Sequence, residues 1–107
     1  VRAPVAPPEP VAPPPETDEL AAQLELIGGA RRAINAEQWA RAAELVDEYT
    51  RRFPAGAFAG EAEVLELLSR CGARPNEDSR ARARRYLSRA KAPFAERVRR
   101  HCLPDGA

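Results

Sequence analysis

The sequence predicts an all-α protein of five helices, packed as antiparallel pairs and stacked as about two and a half repeats. Three observations predict it. Between Ala30 and Pro54, small, large and helix-stopping residues (Ala30, Ala33, Trp39, Ala42, Val46, Tyr49, Phe53, Pro54) follow in the order that two closely packed helices need. A looser copy follows: Phe58-Ala59 and Phe94-Ala95 lie 36 positions apart, and Tyr49 and Tyr86 lie 37 apart. Such a period marks a stacked helical repeat. No segment alternates with period two, so no strand is predicted.

The first helix is expected from near Asp18, with Thr17 as its N-cap and Asp18 and Glu19 suiting the dipole. Leu20, Leu24, Ile27, Ala30 and Ile34 recur at helical spacing and predict its apolar stripe. Gly28-Gly29 interrupts the pattern at a cost of about 1 kcal/mol per glycine relative to Ala. Close approach of the next helix is the expected gain, and one unbroken helix is preferred. Asn35 and Gln38 have the spacing of a capping box for the second helix. That helix runs to about Arg52, with Trp39, Ala42, Ala43, Val46, Tyr49 and Phe53 inward and Pro54 stopping it.

The third helix is expected over about Phe58 to Cys71, with Ala62, Val64, Leu65, Leu67 and Leu68 inside. Asn76, Asp78 and Ser79 are alternative caps for a fourth helix over about Ser79 to Ala90, whose stripe is Ala83, Tyr86, Leu87 and Ala90. Pro93 suits the first turn of a fifth helix ending near Leu103, with Phe94, Val98, His101 and Cys102 inward.

Residues 1–16 read VRAPVAPPEPVAPPPE. Proline fixes φ and removes donors, so this stretch is expected to be a disordered polyproline spacer. Pro4-x-x-Pro7 and Pro10-x-x-Pro13 are the alternative, a ligand for a proline-recognising domain. The expected organisation is a linker over 1–16, a helical domain over 17–104 and a tail over 105–107. Ala supplies much of the apolar content and buries little area per residue, so stability of a few kcal/mol is expected. The sequence holds no Met, and a fragment or processed form is expected, with an anchor or further domain upstream. No apolar run is long enough to cross a bilayer, and no signal-peptide pattern is present.

These residues resemble the tetratricopeptide repeat. Leu26 and Ala30 match the large and small positions of that family's first helix, with Gly29 where Leu is usual. Trp39, Ala42, Val46 and Pro54 match its second helix, with Tyr49 where Ala is usual. In the second unit Leu65, Ala81 and Pro93 match. The sequence is similar, more closely, to tetratricopeptide-like domains of bacterial envelope proteins of the anti-sigma-factor-like or lipoprotein-assembly-like kind. Those follow a Tyr-x-x-x-Phe-Pro helix end with a Cys at the end of the next helix and another near the C-terminus, as Tyr49, Phe53, Pro54, Cys71 and Cys102 do here. The resemblance implies a periplasmic or cell-envelope protein, with a cytoplasmic location as the alternative.

First helices of successive repeats lie side by side, so Cys71 and Cys102 are a disulfide candidate. A bridge would close a loop of about 30 residues, contribute about 3 kcal/mol and imply an oxidising compartment. Two buried thiols acting as small hydrophobes are the alternative. One His and two Cys fall short of a four-ligand zinc set. A phosphate loop, a paired-carboxylate site and a nucleophile with its base are all missing from the sequence. No catalytic residue, metal, cofactor or small-molecule substrate is therefore expected.

Up to Glu66 the chain has 6 Arg against 12 acids; from Leu67 onward it has 11 Arg and Lys against 4 acids. The two halves are expected to attract each other within the stack. The alternatives are an acidic protein partner, or a polyanion on the Arg-rich face of helix four. Nucleic acid is disfavoured, because the aromatics lie on core stripes and not among the arginines. The expected function is a protein–protein interaction module, binding a helix or short peptide in a groove lined by the first helices. Arg31, Arg32, Arg70, Arg82 and Arg85 are the candidate contacts. A structural or homo-oligomerising domain is the runner-up.

Overall fold

Five α-helices succeed one another in the computed structural model: α1 Pro15–Asn35, α2 Trp39–Arg52, α3 Ala59–Ala73, α4 Glu77–Leu87 and α5 Ala95–Cys102. It describes residues 15–89 and 91–104, and contains no strand among them. The proline-rich stretch 1–14, Ala90 and the tail 105–107 lie outside the described residues, and with them most of the expected linker.

Helix α1 begins at Pro15, inside the segment assigned to the spacer and three residues before Asp18. Proline is at home in a first turn, where its missing N–H forfeits no bond. Thr17 is therefore within the helix and not its cap. The helix runs unbroken through Gly28-Gly29. A Cβ on Gly29 would stand 3.2 Å from Leu45 Cδ1, so the bare backbone lets α2 approach. The buried face is Gln23, Leu26, Ile27, Ala30, Ala33 and Ile34. Leu20 and Leu24, expected on that stripe, are 41% and 49% exposed. The buried stripe runs through Gln23, which reaches Tyr49 of α2, and Leu24 stands about 100° round the helix from it, beside the seam and not in it.

The turn between α1 and α2 corrects a second expectation. Gln38 N–H donates to the Ala33 carbonyl (2.8 Å) and Glu37 N–H donates to that of Ile34 (3.0 Å). This is a Schellman closure, with Glu37 at φ 57° in the left-handed position that glycine usually fills. The Asn35–Gln38 capping box does not form, and α2 has no side-chain cap at Gln38. A capping box stands instead at α4: Asn76 Oδ1 accepts from Ser79 N–H (3.0 Å), and Ser79 Oγ accepts from Asn76 N–H (3.1 Å). Cap Asn76 starts α4 at Glu77, two residues earlier than Ser79.

The repeat in the sequence recurs in backbone angles. Phe58 precedes α3 at φ −111°, ψ 25°, and Phe94 precedes α5 at φ −111°, ψ 27°. Each is followed by an alanine that opens the helix, so α5 starts at Ala95, two residues after Pro93. His101 is exposed, against the expectation that it faces inward, while its neighbour Cys102 is buried.

Helix α3 is the centre of the packing. Ala62, Val64, Leu65, Leu67, Leu68, Ser69 and Cys71 are all buried, which surrounds the helix with apolar contact almost all round. It touches α1, α2, α4 and α5, whereas α2 and α4 do not touch. Full burial of Leu65 or Leu68 stabilises by about 1.5–3 kcal/mol each. Cys71 at the end of α3 is joined by a disulfide to Cys102 at the end of α5, with Cα atoms 5.2 Å apart.

One buried polar network ties three segments together. Tyr49 Oη donates to Gln23 Oε1 (2.8 Å) and accepts from Phe58 N–H (2.8 Å). Gln23 Oε1 also accepts from Ala57 N–H (2.9 Å). Tyr49, 1% exposed, thereby holds the α2–α3 connection onto α1.

Candidate groove between the second and fourth helices

Beyond its first turn, α3 exposes Glu63, Glu66, Arg70 and Ala73. Their spacing of three, four and three places them on one stripe of the helix. All four line the gap that opens because α2 and α4 stay apart. The stripe is thus the floor of a groove walled by two helices. From Glu63 to Ala73 it is about 15 Å long, at 1.5 Å per residue.

The expected groove lined by first helices is not where this concavity lies. The exposed stripe of α3 faces the second helices, α2 and α4, and not the α1–α5 side. The remaining expected inward residues of α2 explain part of the difference. Ala43 is exposed, and Trp39 and Phe53 are only half-buried, while Ala42, Val46 and Tyr49 are buried. Trp39 packs on the core with one side and borders the groove with the other.

The groove has two lobes. The first, about 560 Å³, lies between α2 and the α3–α4 end and includes Trp39, Ala43, Val46, Asp47, Ser69 and Asn76. The Trp39 indole sits directly over Gly72, where any Cβ would collide with Cδ2, Cε2 and Cε3 of the ring. The second lobe, about 320 Å³, has Leu67 and Tyr86 between Glu63, Arg82, Arg85 and Arg89. Glu66 and Arg70 border both lobes and are paired with each other at 3.0 Å, forming the ridge between them.

Most of the arginines here are already paired. Arg82 Nε donates to Asp78 (3.1 Å) on its own helix, Arg84 to Glu77, and Arg89 to Glu63 on α3. Arg89 also places its guanidinium 5.1 Å above the Tyr86 ring. Among the described residues Arg85 has no ion-pair partner. The Arg89 pKa is raised, first by its hydrogen bond to the Glu63 carboxylate, and that of Arg31 first by its hydrogen bond to Glu61. A raised arginine pKa favours the fold below the unfolded value and is lost only as pH climbs through the folded one, far above neutrality. These charges are therefore fixed at any working pH.

The five arginines read from the sequence do not converge. Arg70, Arg82 and Arg85 meet at the second lobe. Arg31 sits elsewhere, bridging α1 to α3 through both oxygens of Glu61 at 2.5 and 2.8 Å. Arg32 lines a separate cavity of about 670 Å³ on the α1–α2 flank, beside Arg41 and Arg52. Sequence reading missed the other lobe, because Trp39 was assigned to the core. The available signal was the flank of its stripe, where Ala43, Asp47 and Thr50 are too small or too polar for a sealed interface.

Among the described residues no cluster of three or more His, Cys, Asp or Glu side chains is placed to hold a metal ion. No described helix is long and apolar enough to cross a membrane. No protein-family model matches the chain, and neither a curated protein nor a solved structure does.

Proposed function

We propose that this chain is a non-catalytic protein-interaction module of tetratricopeptide-like character, which seats a helix or short peptide between α2 and α4. One observation carries the reading: the central helix, buried on every other side, keeps a single exposed stripe, and that stripe floors a groove. The charged side chains of the groove are exposed and mostly paired with one another. None occupies the desolvated surroundings that acid–base chemistry uses. Of the three aliphatic hydroxyls at its edge, two are engaged, Ser69 Oγ donating to the Glu66 carbonyl and Ser79 Oγ to that of Asn76, and the third, Thr50, is exposed. Immobilised chain, offered extracts of its source cells beside an Ala43→Glu variant, tests the reading. A partner held by the parent and lost by the variant is expected; equal retention by both removes the groove from the account.

The Cys71–Cys102 bond supports an oxidising compartment, and with it the cell envelope, as the place of work. Thiol titration of denatured, non-reduced material from that compartment is expected to find no free thiol. Two free thiols would remove this part of the reading. A second reading, self-association, is favoured by Leu20 and Leu24, which stand exposed in the N-terminal half of α1. Light scattering decides it, since a monomer mass independent of concentration excludes pairing through these leucines.

A further inference from the structure

The two lobes of the groove differ in chemistry, and the difference specifies an occupant. The second lobe is walled by Arg82, Arg85 and Arg89, in the half of the chain where 11 basic residues face 4 acids. That half carries a positive field. Arg85 has no ion-pair partner among the described residues. Arg82 is held only by Asp78 one turn back, an exposed pair of the kind that contributes little and exchanges readily. The first lobe instead offers the half-buried Trp39 with Ala43 and Val46.

Acids are interleaved with these features. Glu63 and Glu66 lie along the floor and Asp47 on the α2 wall. A nucleic-acid or polyphosphate backbone has acceptors only and is repelled by them. A peptide brings carboxylates for the arginines and N–H groups for the acids.

Building on the interaction reading above, we infer that the occupant is an acidic peptide segment of a partner protein. It places one bulky apolar side chain against Trp39 and carboxylates on Arg82 and Arg85. The lobes are centred about four residues apart along α3, or roughly 6 Å. An extended ligand spans that distance in about two residues, and a helical one in about one turn.

A displayed library of random peptides of about a dozen residues, matched to the groove length, tests this when panned on the whole chain. Trp39 is the only tryptophan, so its emission reports occupancy of the first lobe directly. Enriched peptides are expected to combine Asp or Glu with a Leu or aromatic at the stated spacing and to shift Trp39 emission. They should lose about tenfold or more in affinity on Arg82→Glu/Arg85→Glu. Changing the peptide's own acids to amides should produce the same loss on the unaltered protein, which guards against a variant that folds poorly. Enriched peptides that lack acids, or that bind the charge-reversed protein equally well, overturn the inference and leave the interaction reading standing. Tight binding of heparin or polyphosphate with unchanged Trp39 emission overturns it in favour of a polyanion surface. A panning that enriches nothing overturns both.

Discussion

Glu37 bears a backbone conformation that its side chain does not favour. At φ 57° it closes α1 with both Schellman hydrogen bonds in place, so the turn is sound and only the residue is poor. Glu37→Gly is expected to raise stability by about 1 kcal/mol, seen as a higher urea midpoint at unchanged slope. An unchanged or lower midpoint would show that the left-handed geometry costs nothing here. Gly72 is the opposite case, a position whose smallness is required. Gly72→Ala drives a methyl into the Trp39 indole and is expected to cost about 1–3 kcal/mol while displacing Trp39 emission. A variant with parental stability and parental fluorescence would mean the ring is not seated there. Neither feature was legible in the sequence. A left-handed residue is announced only when it is Gly or Asn, and a cross-helix contact leaves no local mark.

At the scale of elements, the sequence was most informative where periodicity was strong and least where a polar residue held a core position. Five helices could be read from stripes, prolines and caps, and α3 was recognisable by leucines that leave little polar face. The misplacement of Leu20 and Leu24 has a simple origin: a stripe through these leucines and one through Gln23 fit the same helical period, and only the packed neighbour decides which is buried. Gln23, a polar residue at a core position, was missed for a related reason. Its burial makes sense only with Tyr49 and the two amides of the α2–α3 connection assembled around it. Tyr49→Phe removes the hydroxyl that accepts from Phe58 N–H and leaves part of that network unpaired. A loss of about 1–3 kcal/mol is expected by chemical denaturation. Retention of full stability would mean that water replaces the hydroxyl without penalty.

At the scale of the whole molecule, the charge asymmetry of the sequence is resolved partly inside the fold. Two long-range ion pairs reach α3 from elsewhere, Arg31 of α1 to Glu61 and Arg89 of the α4–α5 connection to Glu63, while many others stay within one helix. The groove itself could not be read in advance, because it depends on two helices failing to touch. The disulfide secures the smallest element: α5 has eight residues, and only Val98 and Cys102 of them are buried. Cys71→Ala/Cys102→Ala is expected to cost about 3 kcal/mol, from loop closure over a separation of 31 residues. Hydrogen exchange should show α5 opening first. A variant whose α5 stays as protected as α3 would assign the stability of that helix to packing alone.

Helix α3 is the keel to which every other helix is fastened. Whatever settles on its open side must therefore be felt well beyond the places it touches. An occupant should slow amide-proton exchange in α1 and α5, neither of which it contacts, because their local openings require the keel to loosen.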